Sequence, residues 1–139
     1  MKIRFKKLSP EAQTPFHGSA LAAGWDLTAI SCQDEENGVV TYRTGLSVEI
    51  PENHAGLLFP RSSIYRRGQI LTNCVGVIDA DYRGEIRFMF KRLGDGERYS
   101  PGERIGQLVI VPVPQVEWEE VQELSETERG MNGYGSTGR

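Results

Sequence analysis

The stretch Glu85-Ile86-Arg87-Phe88-Met89-Phe90-Lys91-Arg92 decides the class of fold. Its bulky apolar residues Ile86, Phe88 and Phe90 fall on every second position, with Glu85, Arg87 and Lys91 between or beside them. A period of two is the signature of an extended strand whose successive side chains point to opposite faces. One face is therefore expected to pack on a core, while the Glu85, Arg87 and Lys91 face meets water or a neighbouring subunit. Asp81-Tyr82-Arg83-Gly84 reads as the turn before this strand, and Leu93-Gly94-Asp95-Gly96 turns the chain after it.

Other short strands are expected on either side. Ile105–Val111 is a nearly continuous apolar run between Pro101-Gly102 and Pro112 and fits a strand buried on both faces. Ile3–Leu8, Trp25–Ile30, Val39–Thr44, Leu46–Ile50, Ala55–Phe59, Gln69–Val75 and Val77–Ile78 carry strand-like patterns, and Ser9–Ala23 reads as a loop. Arg61–Gly68 predicts a helix of at most two turns, with a serine capping its start and Gly68 ending it. Gln115–Leu124 is ambiguous: Val116 and Trp118 alternate like a strand, Val121 and Leu124 are spaced like a helix, and strand is the favoured reading. Many short strands at regular spacing indicate a mostly-β sandwich or barrel, and no long amphipathic segment supports an alternating βαβ fold.

The 139 residues suit one domain, and 38% hydrophobic with 25% charged residues is ordinary for a globular chain. A net charge of -3 argues against a nucleic-acid polymer as the main ligand but leaves room for a small anion. Cys32 and Cys74 are too few for a disulfide framework and, beside only His17 and His54, do not form a zinc pattern, so a reducing compartment is expected. The N-terminus MKIRFKKLSP has no apolar run suited to a signal peptide, and no later stretch approaches the roughly 20 apolar residues of a membrane span. A cytoplasmic location without membrane association is the expectation.

Residues 1–124 read as a β domain and residues 125–139 as a glycine-rich arm, mobile without a ligand. Gly133 to Gly138 spell G-x-G-x-x-G, but only Arg139 follows, so no helix exists for a dinucleotide fingerprint to open. Gly130 and Gly135 have phosphate-loop spacing, yet Ser136 stands where lysine is needed. What the tail retains is phosphate-binding chemistry: glycine N–H groups, the Ser136 and Thr137 hydroxyls and the Arg129 guanidinium. A merely flexible tail is the alternative. Asp79 and Asp81 are two residues apart after an apolar strand, which suits either a general base or an Asx-type turn shaping a hairpin. Asp26 alone is more often a turn former than a ligand. Arg61-Ser62-Ser63 can bind an anion or form a salt-bridged, capped turn. Gln107 lies in an apolar run, where an unpartnered amide costs about 1–3 kcal/mol, so it either clamps backbone or serves a site.

Taken together, Ala23-Gly24-Trp25-Asp26-Leu27, Pro60-Arg61-Ser62-Ser63, Asn73 with Gly76-Val77-Ile78-Asp79-Ala80-Asp81-Tyr82-Arg83-Gly84, Pro101-Gly102-Glu103-Arg104-Ile105-Gly106-Gln107, and Arg129-Gly130 with Gly133-Tyr134-Gly135-Ser136-Thr137-Gly138 resemble the five motifs of the trimeric dUTPase family, in order, from about Ala23 to Arg139. The resemblance implies a jelly-roll-like β-barrel or sandwich assembled as a homotrimer, with active sites at subunit interfaces and a flexible C-terminal arm closing over a neighbour's site. It implies hydrolysis of dUTP to dUMP and pyrophosphate, which limits uracil incorporation into DNA and supplies dUMP for thymidylate synthesis.

By the same resemblance Asp79 is the carboxylate that activates water for attack on the α-phosphorus. Gln107 contacts phosphate near that water, and Asp26 supports the water shell of Mg²⁺, which is held mainly by substrate phosphates with no direct protein ligand. Arg61, Ser62 and Ser63 hold phosphate. Asn73 and the backbone of Gly76, Val77 and Ile78, in a Leu71–Tyr82 hairpin, read uracil, and Tyr82 packs on deoxyribose and excludes a 2′-hydroxyl. On the arm, Arg129, Ser136 and Thr137 meet the γ-phosphate beside Gly135. Tyr134 stands where the family usually has phenylalanine stacked on the base, a contact worth about 1–3 kcal/mol. Arg66-Arg67-Gly68 departs from the family pattern and carries no assigned role. Two other classes remain: a dCTP deaminase, disfavoured by Asp79–Gly84, and a non-catalytic trimeric β module. A zinc deaminase lacks its ligand motif.

Overall fold

Alternating side chains and frequent turn residues fold into eleven strands among residues 1–133, the part of the chain that the computed structural model describes. They are β1 (Arg4–Lys7), β2 (Phe16–His17), β3 (Trp25–Thr28), β4 (Ser31–Asp34), β5 (Val39–Arg43), β6 (Leu46–Glu49), β7 (His54–Pro60), β8 (Gln69–Leu71), β9 (Gly76–Ile78), β10 (Arg87–Arg92) and β11 (Arg104–Pro112). One sheet has the order β2-β3-β11-β7-β9, a second the order β4-β5-β10-β8, and β1 pairs with β6. Every pairing is antiparallel. The chain is thus mostly β, as expected, and lies on the sandwich side of that expectation: its described strands form separate sheets and no closed barrel. No described helix is long and apolar enough to cross a membrane.

The core lies where β10 and β5 of one sheet meet β11 and β3 of the other. Phe88, Phe90, Val40, Tyr42, Leu27, Ile105 and Leu108 are all buried there. Phe88 and Phe90 stack with centroids 5.9 Å apart, and Tyr42 meets Phe90 edge-on at 5.7 Å, the geometries that ring quadrupoles favour. Tyr42 accepts the Tyr99 N–H at 3.1 Å, and burial raises the phenol pKa of both tyrosines. Gly106 on β11 is a tight point of this core. A Cβ there would lie 2.2 Å from the edge of the Phe88 ring and 2.9 Å from the Phe59 carbonyl oxygen.

The structure corrects several expectations. Gln115–Leu124 forms no strand: every residue from Pro112 to Gly133 is exposed, and alternation at Val116 and Trp118 finds no partner strand among the described residues. β2 lies inside the segment read as a loop. β4 arises from polar Ser31-Cys32-Gln33-Asp34, which shows no alternation and is held by its ladder to β5. Gln69–Val75 is extended only to Leu71. The expected short helix is a 3-10 helix, Ser62–Arg67, with Arg61 rather than a serine at its N-cap and no side-chain cap; Gly68 does end it, at φ +57°. β11 is buried on one face, whereas Gln107, Val109 and Val111 on the other are only half-buried.

The largest correction concerns Glu85. Its side chain is only 5% exposed, because it precedes the strand and folds back. Oε2 accepts from Arg43 Nε and Arg87 Nε, each at 3.0 Å, and Oε1 accepts the Gly45 N–H at 2.8 Å. Burial alone would raise this carboxyl. The three donors outweigh it and hold the pKa below the usual 4.5.

Two outcomes follow from this packing. Gly106→Ala should lower stability by about 1–3 kcal/mol, read as a drop in the urea midpoint, since the Phe88 ring has no free space to enter. Glu85→Gln should cost about 1.5–3 kcal/mol near neutral pH. A carboxyl with a depressed folded-state pKa contributes stability that is present above about pH 4.5 and lost as pH falls through the lower folded value. The gap between wild type and this variant should therefore narrow in unfolding curves taken at progressively lower pH; a gap that ignores pH would remove the charge from the account.

Candidate active site

Three neighbouring strands bring distant segments into one corner. On β11, Gln107 lies opposite Asp26 of β3 and opposite Phe59 of β7, and Arg61 leaves the end of β7 just after Pro60. The Asp26 carboxylate, half-buried, sits between two guanidinium groups: Oδ2 is 3.2 Å from Arg61 Nε and 3.1 Å from Arg104 Nη1. Arg104 also lies over the Phe16 ring at 4.6 Å. Gln107 donates from Nε2 to the Pro60 carbonyl at 3.3 Å, so its amide clamps the backbone next to Arg61. Gly24 completes the corner, since a Cβ there would come within 2.7 Å of Gln107 Oε1. Asp26, Arg61 and Gln107 thus meet from three separate motifs. Arg104 was not assigned a role from sequence; its only signal was a basic residue opening the strand after a Pro-Gly turn.

The 3-10 helix carries Ser62 and Ser63 from this corner, with Ser62 exposed and Ser63 half-buried. Of the two arginines that follow, Arg67 is structural. It pairs with Glu103, donates to the Arg98 carbonyl at 3.2 Å and lies 4.9 Å over the Tyr99 ring. Arg66 instead extends along exposed Tyr65, donating to its hydroxyl at 2.8 Å.

Asn73, Gly76, Val77 and Ile78 belong to a segment whose expected hairpin form is corrected. β8 pairs with β10, while β9 pairs with β7, so the two arms lie in different sheets and the turn bridges the edge of the sandwich. Thr72 ties the turn down through its N–H and hydroxyl, both donated to the Met89 carbonyl. Cys74 takes φ +59° to close it, leaving Asn73 exposed. Val77 is 63% exposed, whereas Gly76 is buried against Leu58.

Asp79 and Asp81 follow β9, both exposed. Ile78 is opposite Gly56, near the start of β7, while Arg61 follows its end. Asp79 and Arg61 of one chain therefore stand at opposite ends of β7, on the order of 15–20 Å apart at ~3.3 Å per residue. Tyr82 is 42% exposed, and its hydroxyl donates to the Glu85 carbonyl at 3.1 Å. Arg129 is exposed on the arm. Tyr134, Gly135, Ser136 and Thr137 lie outside the described residues. Among the described residues no group of three or more His, Cys, Asp or Glu side chains could hold a metal ion.

Comparison with known proteins places this geometry. Residues 10–138 match the family model of dUTPase. A deoxyuridine 5'-triphosphate nucleotidohydrolase of Acinetobacter baumannii is 42% identical, covering 100% of this chain and 99% of its own length. Among solved structures, a mutant of the Staphylococcus bacteriophage 80alpha dUTPase with dUpNHpp superposes with a TM-score of 0.87 at 28% identity, covering 99% of each chain. A mutant dUTPase from phage phi11 of S. aureus, in which a structural Mg(II) ion is coordinated, gives 0.76 at 25% identity over 88% of this chain and 98% of that one. The match of family model, full-length sequence and fold together establish that this chain belongs to the dUTPase family.

Proposed function

We propose that the chain is a dUTP diphosphatase, releasing dUMP and pyrophosphate by attack of an Asp79-activated water on the α-phosphorus. The observation that carries this reading is the corner in which Asp26, Arg61 and Gln107 converge from three strands. In this reading Arg61, Ser62 and Ser63 hold the triphosphate, Gln107 orients its α-phosphoryl oxygens and the nearby water, and Asn73 with the Gly76–Ile78 backbone reads the uracil edge. Tyr82 packs on the deoxyribose. Arg129 and the arm residues Tyr134, Gly135, Ser136 and Thr137 close over base and γ-phosphate, so residues 1–124 act as the domain and 125–139 as its lid. Positioning and electrostatics supply the acceleration.

Magnesium enters with the nucleotide. A triphosphate carries about four negative charges, and an oxygen-coordinated Mg²⁺ neutralises them without needing a protein cage. The donor set fits that role: both guanidinium contacts fall on Asp26 Oδ2, leaving Oδ1 to accept from a water of the ion's shell.

The distance between Asp79 and Arg61 supports a homotrimer, because no single chain brings the proposed base to the proposed phosphate site. Exposed Val116, Trp118, Val121 and Leu124 support it as well, since an apolar run of this kind suits burial against a neighbour. Trimerisation joins Asp79 of one subunit to Arg61 of another. Supply of dUMP and removal of dUTP before it reaches DNA are the roles that this reaction serves.

Pyrophosphate release tests the reading: dUTP should react in the presence of magnesium and stop with chelator, while dCTP, dTTP and UTP are spared. Ammonia from dCTP would point to a deaminase, and silence with every nucleotide to a binding module. Asp79→Asn and Arg61→Ala should each lose at least about 10²-fold in turnover. Refolded together, the two inactive variants should recover about a quarter of wild-type activity per site, because random mixing unites an intact Asp79 with an intact Arg61 at that frequency. No recovery would place both residues in one chain's site.

A further inference from the structure

The segment from Asp79 to Ile86 belongs to no strand, so its shape depends on what holds it from outside. Its start is a turn closed by the Tyr82 N–H on the Asp79 carbonyl at 3.2 Å, and Arg83 reaches back to the Ala80 and Tyr82 carbonyls at 2.7 and 2.9 Å. Its exit is fastened to the stretch that enters β6. The Ser47 hydroxyl donates to the Arg83 carbonyl at 2.7 Å, Ile86 N–H to the Leu46 carbonyl at 2.7 Å, and the Thr44 hydroxyl to the Ile86 carbonyl at 2.6 Å. Between these anchors the Glu85 carboxylate is held by Arg43, Arg87 and the Gly45 N–H, while the Glu85 carbonyl is the acceptor of the Tyr82 hydroxyl. Bare Gly84 lies close against the end of the Tyr82 ring, since a Cβ there would come within 2.3 Å of the hydroxyl oxygen.

We propose that Glu85 is a positioning residue for nucleotide selectivity: its side chain, locked by Arg43, Arg87 and Gly45, fixes the carbonyl that holds Tyr82, and so sets the preference for deoxyribose over ribose. This rests on the role of Tyr82 proposed above. Freed from that carbonyl, the ring can swing away and admit a 2′-hydroxyl. Loss of the clamp therefore acts on the ratio of kcat/KM for dUTP to that for UTP more than on dUTP turnover itself.

The test compares wild type, E85A, E85Q, G84A and Y82F in the full chain, below the unfolding temperature of each. E85A should lower the dUTP-to-UTP ratio at least about tenfold, chiefly through a better KM for UTP. E85Q keeps an acceptor for Gly45 and should restore part of that loss, while G84A, whose added methyl displaces the same ring, should match E85A. Because the effect runs through the hydroxyl, E85A added to Y82F should change the ratio no further. Amide hydrogen exchange gives a readout free of catalysis: residues 79–86 should exchange faster in E85A, with β11 unchanged. An unchanged ratio in E85A, equal losses for both nucleotides, additive effects in the double variant, or unaltered exchange in the loop would each overturn the proposal. A wild-type chain without dUTP turnover would overturn the function and the selectivity claim together, whereas selective wild type with an unmoved E85A ratio overturns the clamp alone.

Discussion

Much of the structure hangs on the contact between the Phe88 ring and the bare Cα of Gly106. The two sheets meet there without room for a methyl group, which sets the height of β11 above β10 and with it the placement of everything β11 carries. Gln107 is the next residue, and Arg104 lies just before a shift of register between Arg104 and Gly106 that lets the strand bend across β3. The core and the candidate site are therefore one mechanical unit. A side chain packed on one face of the strand determines where its neighbour points on the other.

The proposed site is divided by the length of a single strand. β7 separates the Arg61 corner from the Asp79 loop, and antiparallel pairing on both of its sides makes that separation rigid. Flexing one chain cannot close it. Assembly then becomes part of the chemistry in the proposed function, since the distance within a chain must be exchanged for a short one between chains. Exposed apolar residues after β11 are consistent with the same economy, in which surface left bare by one copy is covered by another.

Legibility in the sequence followed the source of each element's stability. β10, β5 and β6 carry their own alternation, and β11 is bounded by proline and glycine, so periodicity and punctuation sufficed for them. β4 has no such pattern; its polar residues are extended because β5 offers them a ladder, which is information held elsewhere in the chain. Val116 and Trp118 mislead in the opposite direction, having the alternation without a partner. Glu85 was assigned to the wet face by period, yet Arg43 and the Gly45 N–H from another segment, with Arg87 two residues on, make burial of its charge favourable. For the site, motif resemblance named Asp26, Arg61 and Gln107, but only the register of β3, β11 and β7 explains why they meet. The contact of Arg104 with Asp26 was not visible at all, because a guanidinium selects its partner through space.

The shared ion pair at Asp26 has one more implication. Arg61 and Arg104 are already drawn onto a common anion in the resting chain, so their long side chains are ordered before any nucleotide arrives. In the proposed function Asp26 would act as a placeholder for phosphate on Arg61. An incoming phosphoryl oxygen would then take over part of an existing pair instead of immobilising a free arginine, at a cost of about 0.5–1.5 kcal/mol in lost rotamer freedom. The carboxylate that looks like a competitor of the substrate would thus prepare its reception.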